Sequence, residues 1–173
     1  MNVREHRHPA DDVEGQIPAL RRYARGLAGP DQAAAADEMV AQVITRALRE
    51  DQRPQTGAPR LWLFAALTSL NRSRLRATRL KAPSLPPATA PQRPPGLREA
   101  LAQTPLDGRE ALLLVVVEGF SYAQAAEILG VNRLGVATRL ARARKDLGAR
   151  LDASPSAPAR PDPRRPPYLR LVK

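Results

Sequence analysis

Residues 121–145 read SYAQAAEILGVNRLGVATRLARARK, which is the pattern of two short helices around a tight turn. Ser121 followed by Gln124 has the spacing of a capping box, so a helix can start there with its free amides satisfied. Ala125, Ala126, Ile128 and Leu129 give that helix a small, aliphatic face. Gly130 can take the left-handed conformation that ends a helix, and Asn132 can cap the next one. In that second helix Val136 and Leu140 share the inward face at i, i+4 spacing, while Arg133, Arg139, Arg142, Arg144 and Lys145 are expected outside. This is the pattern of a helix-turn-helix, whose second helix enters the DNA major groove. A helical hairpin with a solvated basic face is the plainer alternative.

The surrounding composition suits helices. Of 173 residues only 3% are aromatic, so a core must come from Leu, Ala, Val and Ile, and β-branched or aromatic runs are scarce. The formal net charge of +11 points to an anionic partner such as nucleic acid or a membrane surface. Its distribution is more telling than its sum. Residues 1–59 hold 8 basic and 9 acidic side chains, whereas residues 60–81 hold 6 basic ones and no acid. Residues 131–150 hold 6 basic groups against the single Asp146. Two separated basic segments imply two places that touch phosphate.

Proline divides the chain. Six of the 18 prolines fall in residues 82–96 and six in residues 152–173, and neither stretch has helical periodicity. The expected fold class is therefore all-α, with two small helical domains joined by a proline-rich linker. The expected divisions are an unstructured N-terminus at 1–11, a helical domain at 12–81, the linker at 82–96, a helix-turn-helix domain at 97–151, and a Pro/Arg-rich tail at 152–173. In the first domain Ile17, Leu20, Tyr23 and Leu27 predict one helix, ended by Gly29-Pro30. Met39, Val40, Val43, Ile44, Ala47 and Leu48 predict a second, between Asp31 and about Glu50. A third begins near Pro59, with Leu63, Leu67 and Leu70 as its buried stripe, Trp62 and Phe64 flanking it, and a basic later part. In the second domain a short helix spans Leu97 to Gln103, and Asp107 is expected to cap one that ends at Gly119. Each domain is close to the lower size limit for a separate core.

The segment REALLLVVVEGFSYAQAAEILGVNRLGVATRLARARKDL resembles region four of extracytoplasmic-function (ECF) sigma factors. The specific elements are EALLL, EGFSY, AAEILGV and RLARAR at the expected intervals. IPALRRYARGL, ADEMVAQVITRALR and APRLWLFAAL resemble successive helices of region two, so the likeness covers most of residues 12–151. It implies a first unit that docks on the clamp helices of core RNA polymerase and helps open the minus-ten DNA. It implies a second unit that sits under the polymerase flap and reads the minus-thirty-five element. Asp37, Glu38, Val40 and Arg46, with the intervening Ala41, fall on the polymerase-docking helix. Thr138 and Arg142 match positions facing bases or their flanking phosphates, and Arg139 and Arg144 match basic supporting positions.

The departures lie in the first unit. Ala41 stands where the family usually has Gln, and Thr68-Ser69 where it often has Arg-Asn. Both changes remove polar groups from a surface expected to bind polymerase or DNA. The sigma-like portion of some alphaproteobacterial response regulators, which sequesters an anti-sigma factor, also tends toward Val-Ala at the first of these places.

Arg72, Arg74, Arg76 and Arg79 are read as contacts to the phosphates of opening DNA, the alternative being a solvated helix end that suits the dipole. Trp62 is read as core beside Leu63 and Leu67 rather than as a base-stacking platform. Asp37 and Glu38 are adjacent, so they do not form a catalytic pair and are read as a patch for a basic partner. His6 and His8 are too few for a metal site, and there is no cysteine, no phosphate loop and no nucleophile–histidine arrangement. No enzyme activity, metal or cofactor is expected. The longest apolar run is too short to cross a bilayer and the N-terminus lacks a signal-peptide core, so a cytoplasmic protein without membrane insertion is expected. The expected function is that of an ECF-type sigma factor, with core RNA polymerase, promoter DNA and an anti-sigma factor as partners. Two rivals are a sigma-like adaptor that binds an anti-sigma factor, and a standalone helix-turn-helix regulator.

Overall fold

The computed structural model describes residues 13–49, 59–81 and 96–152, and among these residues every regular element is helical. The N-terminus, the proline-rich linker between 82 and 95, and the tail lie outside the described residues.

Helix α1 (Ile17–Ala28) carries Pro18 in its first turn and stops at Gly29, whose φ of 95° a residue with a Cβ rarely adopts. Leu20, Tyr23, Ala24 and Leu27 form its buried stripe. Helix α2 (Ala33–Leu48) packs against it through Ala36, Met39, Val40, Val43 and Ala47, the 3–4 spacing of one helical face. Helix α3 (Pro59–Lys81) buries Leu63, Phe64 and Leu67, while Leu70 and Trp62 are partly buried against the same core. Phe64 is thus a centre of packing rather than a flank: its ring lies 5.2 Å from Tyr23 and 4.9 Å, edge-on, from Phe120.

The second half begins with α4 (Leu97–Ala102) and α5 (Leu106–Leu112). Helix α5 starts after Pro105, with Asp107 inside its first turn, so Asp107 is not the cap that its position suggests. The chain then passes into a π-helical turn, Leu113–Val117, in which the Glu118 amide donates to the Leu113 carbonyl at 2.9 Å. That wider turn keeps Leu113 and Leu114 in the core, leaves Val116 and Val117 outside, and brings the Glu118 side chain inside. Helices α6 (Tyr122–Leu129) and α7 (Arg133–Asp152) complete the fold.

The two halves are not held apart in this structure. One hydrophobic cluster runs from Leu20 and Phe64 through Leu114 and Phe120 to Val136 and Leu140. Helix α1 packs on α4, α5 and the π turn, and α3 packs on α6. Small helical units that can each bury little apolar surface gain by sharing one core. The approach is close at Gly26, where an added Cβ would lie 2.7 Å from a Leu113 methyl, so a side chain there would have to displace the Leu113 side chain.

Candidate nucleic-acid and polymerase interfaces

The helix-turn-helix is built by local hydrogen bonds. The Gln124 amide donates to Ser121 Oγ at 3.2 Å, and the Ser121 amide donates to Gln124 Oε1 at 3.0 Å. Gly130 turns the chain at φ 67°, and the Gly135 amide donates to Asn132 Oδ1 at 2.7 Å, capping α7. Ala125, Ala126, Ile128 and Leu129 of α6 and Val136, Leu140 and Ala143 of α7 are buried. Arg133, Thr138, Arg142, Arg144 and Lys145 are consequently all exposed on α7. Arg139 differs: it is half-buried on the flank toward α5, 4.0 Å from the Asp107 carboxylate. It lies on the α5 side of α7 and is not presented with the exposed row.

The exposed face of α2 carries Glu38, Ala41, Gln42, Thr45 and Arg46, which with Arg49 just after the helix surround a shallow groove of about 350 Å³. Gln42 donates to Glu38 at 3.2 Å, and Asp37 faces α1, accepting from Arg25 at 3.2–3.3 Å with Arg21 at 3.9 Å. Val40 does not share this face. It is 3% exposed and packs in the core with Met39 and Val43, so the docking role given to it is corrected here. Its spacing from Ala36, Val43 and Ala47 dictates this.

The arginines of α3 divide. Arg76 and Arg79 are exposed, and Arg74 donates to Gln32. Arg72 turns inward and donates two hydrogen bonds to Glu110, at 2.9 and 2.6 Å, and a third to the Leu129 carbonyl at 3.3 Å. Glu110 is 1% exposed. The carboxylate hydrogen bond pushes the Arg72 guanidinium above its usual range, against the burial that opposes it. In this arrangement Arg72 faces a carboxylate rather than a phosphate, which corrects the expectation that all four arginines stand free. Thr68 is likewise no surface residue. It is 1% exposed, its hydroxyl bonds the Tyr23 hydroxyl at 2.8 Å and donates to the Phe64 carbonyl at 2.8 Å, and only Ser69 of that pair is exposed. Burial pushes the Tyr23 hydroxyl well up from its ordinary value.

A second polar tie crosses the same seam. Arg22 of α1 donates to both oxygens of the buried Glu118, at 2.8 and 2.7 Å. Arg60 of α3 donates to the Glu118 carbonyl and lies 4.3 Å from the Phe120 ring centre. Arg109 reaches back to the Leu27 carbonyl at 2.8 Å, and burial lowers its pKa from the usual value. Asn71, 1% exposed, has neither side-chain oxygen nor nitrogen hydrogen-bonded. The pairing of Arg22 and Arg72 with Glu118 and Glu110 is invisible to periodicity because the partners are 96 and 38 residues apart. Among the described residues no group of three His, Cys, Asp or Glu could hold a metal ion. No helix among them is long and apolar enough to cross a membrane.

Comparison with known proteins agrees with both halves. The family model for the Sigma2 domain of PhyR matches residues 13–68, and that for Sigma-70, region 4 matches residues 96–147. The ECF RNA polymerase sigma factor EcfG of Rhodopseudomonas palustris (strain TIE-1) is 36% identical over 154 residues, covering 82% of this chain and 83% of that protein. The sigma factor RpoE of Bartonella quintana, solved in complex with the anti-sigma factor NepR, superimposes with a TM-score of 0.66. It is 26% identical, over 82% of this chain and 94% of that one. The PhyRSL–NepR complex from Sphingomonas sp. Fr1 superimposes with a TM-score of 0.62 at 26% identity, covering 87% of this chain and 94% of that one. With its helix-turn-helix in place and this identity along most of its length, the chain belongs to the ECF RNA polymerase sigma factor family.

Proposed function

We propose that the chain directs core RNA polymerase to its promoters, with the exposed face of α2 docking on polymerase and α7 entering the major groove of the minus-thirty-five element. The observation that carries this reading is the capped helix-turn-helix with Arg133, Arg142, Arg144 and Lys145 exposed along its second helix. Arg74, Arg76 and Arg79 would meet the phosphates of the minus-ten region, with Arg72 joining them once its bond to Glu110 is broken. Residues 12–81 and 97–151 would act as the two sigma units. Residues 82–96 number fifteen, and a chain of that length reaches at most roughly 50 Å, more than one DNA turn of ~34–36 Å, so the units can reach separate promoter elements. The chain would perform no chemistry of its own and would work in the cytoplasm.

The described conformation holds the halves together, and RpoE of Bartonella quintana was solved with an anti-sigma factor bound. We take an anti-sigma protein to be a partner here too. A second reading has support from the first half, which matches the Sigma2 domain of PhyR. That is an adaptor which binds an anti-sigma factor in preference to polymerase. Pull-down with purified core polymerase separates the two. The sigma reading expects binding by the wild type and tighter binding by Ala41→Gln, since one restored interface hydrogen bond is worth ~0.5–1.5 kcal/mol, up to about tenfold. Absence of core binding by both forms would favour the adaptor.

A further inference from the structure

The outward face of α7 has an apolar centre between basic flanks. Val136, Leu140 and Ala143 are at most 1% exposed, which fixes the inward direction. Leu134, Thr138, Ala141 and Lys145, at i, i+4, i+7 and i+11, lie on the opposite side, and all four are exposed. Arg142 stands on one shoulder of this row. Arg133 and Arg144, about three turns apart, stand on the other. Leu134 is 74% exposed, in the first turn of the helix just after the Asn132 cap. Its solvent-facing position gives it no role in the core, and Thr138 and Ala141 beside it are short enough to let the helix approach a surface closely.

Resting on the reading that α7 enters the major groove, the geometry points to Leu134 as a specificity-determining residue that recognises the C5-methyl group of thymine. The N-terminal residues of a recognition helix are those that reach base edges. The arginine shoulders suit the phosphates on either side of the groove, which leaves the central row facing its floor. The apolar group displayed on that floor is the thymine methyl, and apolar side chains contact it. A leucine there favours a thymine over a base that presents only polar edges, without any hydrogen bond to make.

The test uses the holoenzyme formed from core polymerase and the full chain. A promoter library randomised in the upstream element identifies the bound sequence. Each thymine of that element, on either strand, is then replaced by deoxyuridine, which differs by the methyl group alone. Wild-type holoenzyme should bind on the order of fourfold more weakly for each contacted methyl removed. L134A should bind the thymine-containing probe more weakly and lose most of the preference for thymine over uracil. Leu134 is exposed, so this variant should keep the wild-type melting temperature, and the uracil series on wild-type protein needs no variant at all.

A selected element without thymine, wild-type indifference to uracil, or an unchanged thymine preference in L134A would overturn the inference. So would a loss in L134A of core binding rather than of DNA discrimination, which would make Leu134 a protein contact. Failure to select any upstream element would instead refute promoter recognition by α7 itself.

Discussion

Arg72 and Glu110 join the two halves of the molecule through a bidentate pair at 2.9 and 2.6 Å, with the carboxylate almost fully buried. A residue expected on DNA is thereby held inside the protein by a residue of the other half. The same seam contains Arg22 and Glu118, so in both pairs the first half supplies the arginine and the second the carboxylate. Contact of Arg72 with phosphate requires this seam to open.

The pair sets a first prediction. Arg72→Ala leaves Glu110 buried without its cation and should cost about 3 kcal/mol, whereas Glu110→Gln, which keeps a polar partner, should cost about 1–2 kcal/mol. Arg79→Ala, on the exposed end of α3, should stay within about 0.5 kcal/mol. Urea unfolding of the three variants checks the order, and equal effects of Arg72→Ala and Arg79→Ala would contradict it.

Asn71 leads to the opposite sign. Both of its side-chain polar atoms are buried and unbonded, so Asn71→Leu, of similar size, removes a desolvated amide and should stabilise the described conformation by about 1–2 kcal/mol. A rise in melting temperature is expected. A fall would mean that the amide has a partner that the apolar side chain cannot replace.

Arg142 is exposed on a shoulder of α7 and has no role in packing. Arg142→Ala should therefore weaken binding of the upstream promoter element and lower the slope of its salt dependence by about one, while leaving the unfolding midpoint unchanged. Unaltered promoter affinity and selectivity would remove Arg142 from the DNA interface.

Cleavage within residues 84–94 tests the relation of the halves. The shared core and the Arg72–Glu110 and Arg22–Glu118 pairs should keep the two fragments folded and associated on a sizing column. Transcription should still fall sharply, because once the seam opens at the promoter only the tether keeps the second half at high effective concentration. Unfolding on cleavage would place the linker in the core.

The parts of this fold legible in the sequence are those fixed over a few residues. Ser121, Gln124, Gly130 and Asn132 each act within four positions, and the structure forms the bonds that their spacing implies. The buried stripes of α1 and α2 follow from 3–4 spacing in the same way. Val40 shows the cost of ranking a family position above that spacing, because the periodicity of Ala36, Val43 and Ala47 already assigns it to the core. Asp107 shows a different limit. An acidic residue in the first turn and one at the cap are both favourable, and residue type alone does not separate them. The seam was not legible. Glu110 and Glu118 look like ordinary helix charges until the fold brings Arg72 and Arg22 against them. Thr68 is hidden for the same reason, since its partner Tyr23 lies 45 residues away.

The central claim is promoter-directed initiation, and transcription reconstituted from purified core polymerase and this chain on genomic DNA tests it most directly. The account predicts new start sites, absent with core alone, that share an upstream element and a minus-ten element at fixed spacing and that weaken with Arg142→Ala. Start sites identical to those of core polymerase alone would contradict it.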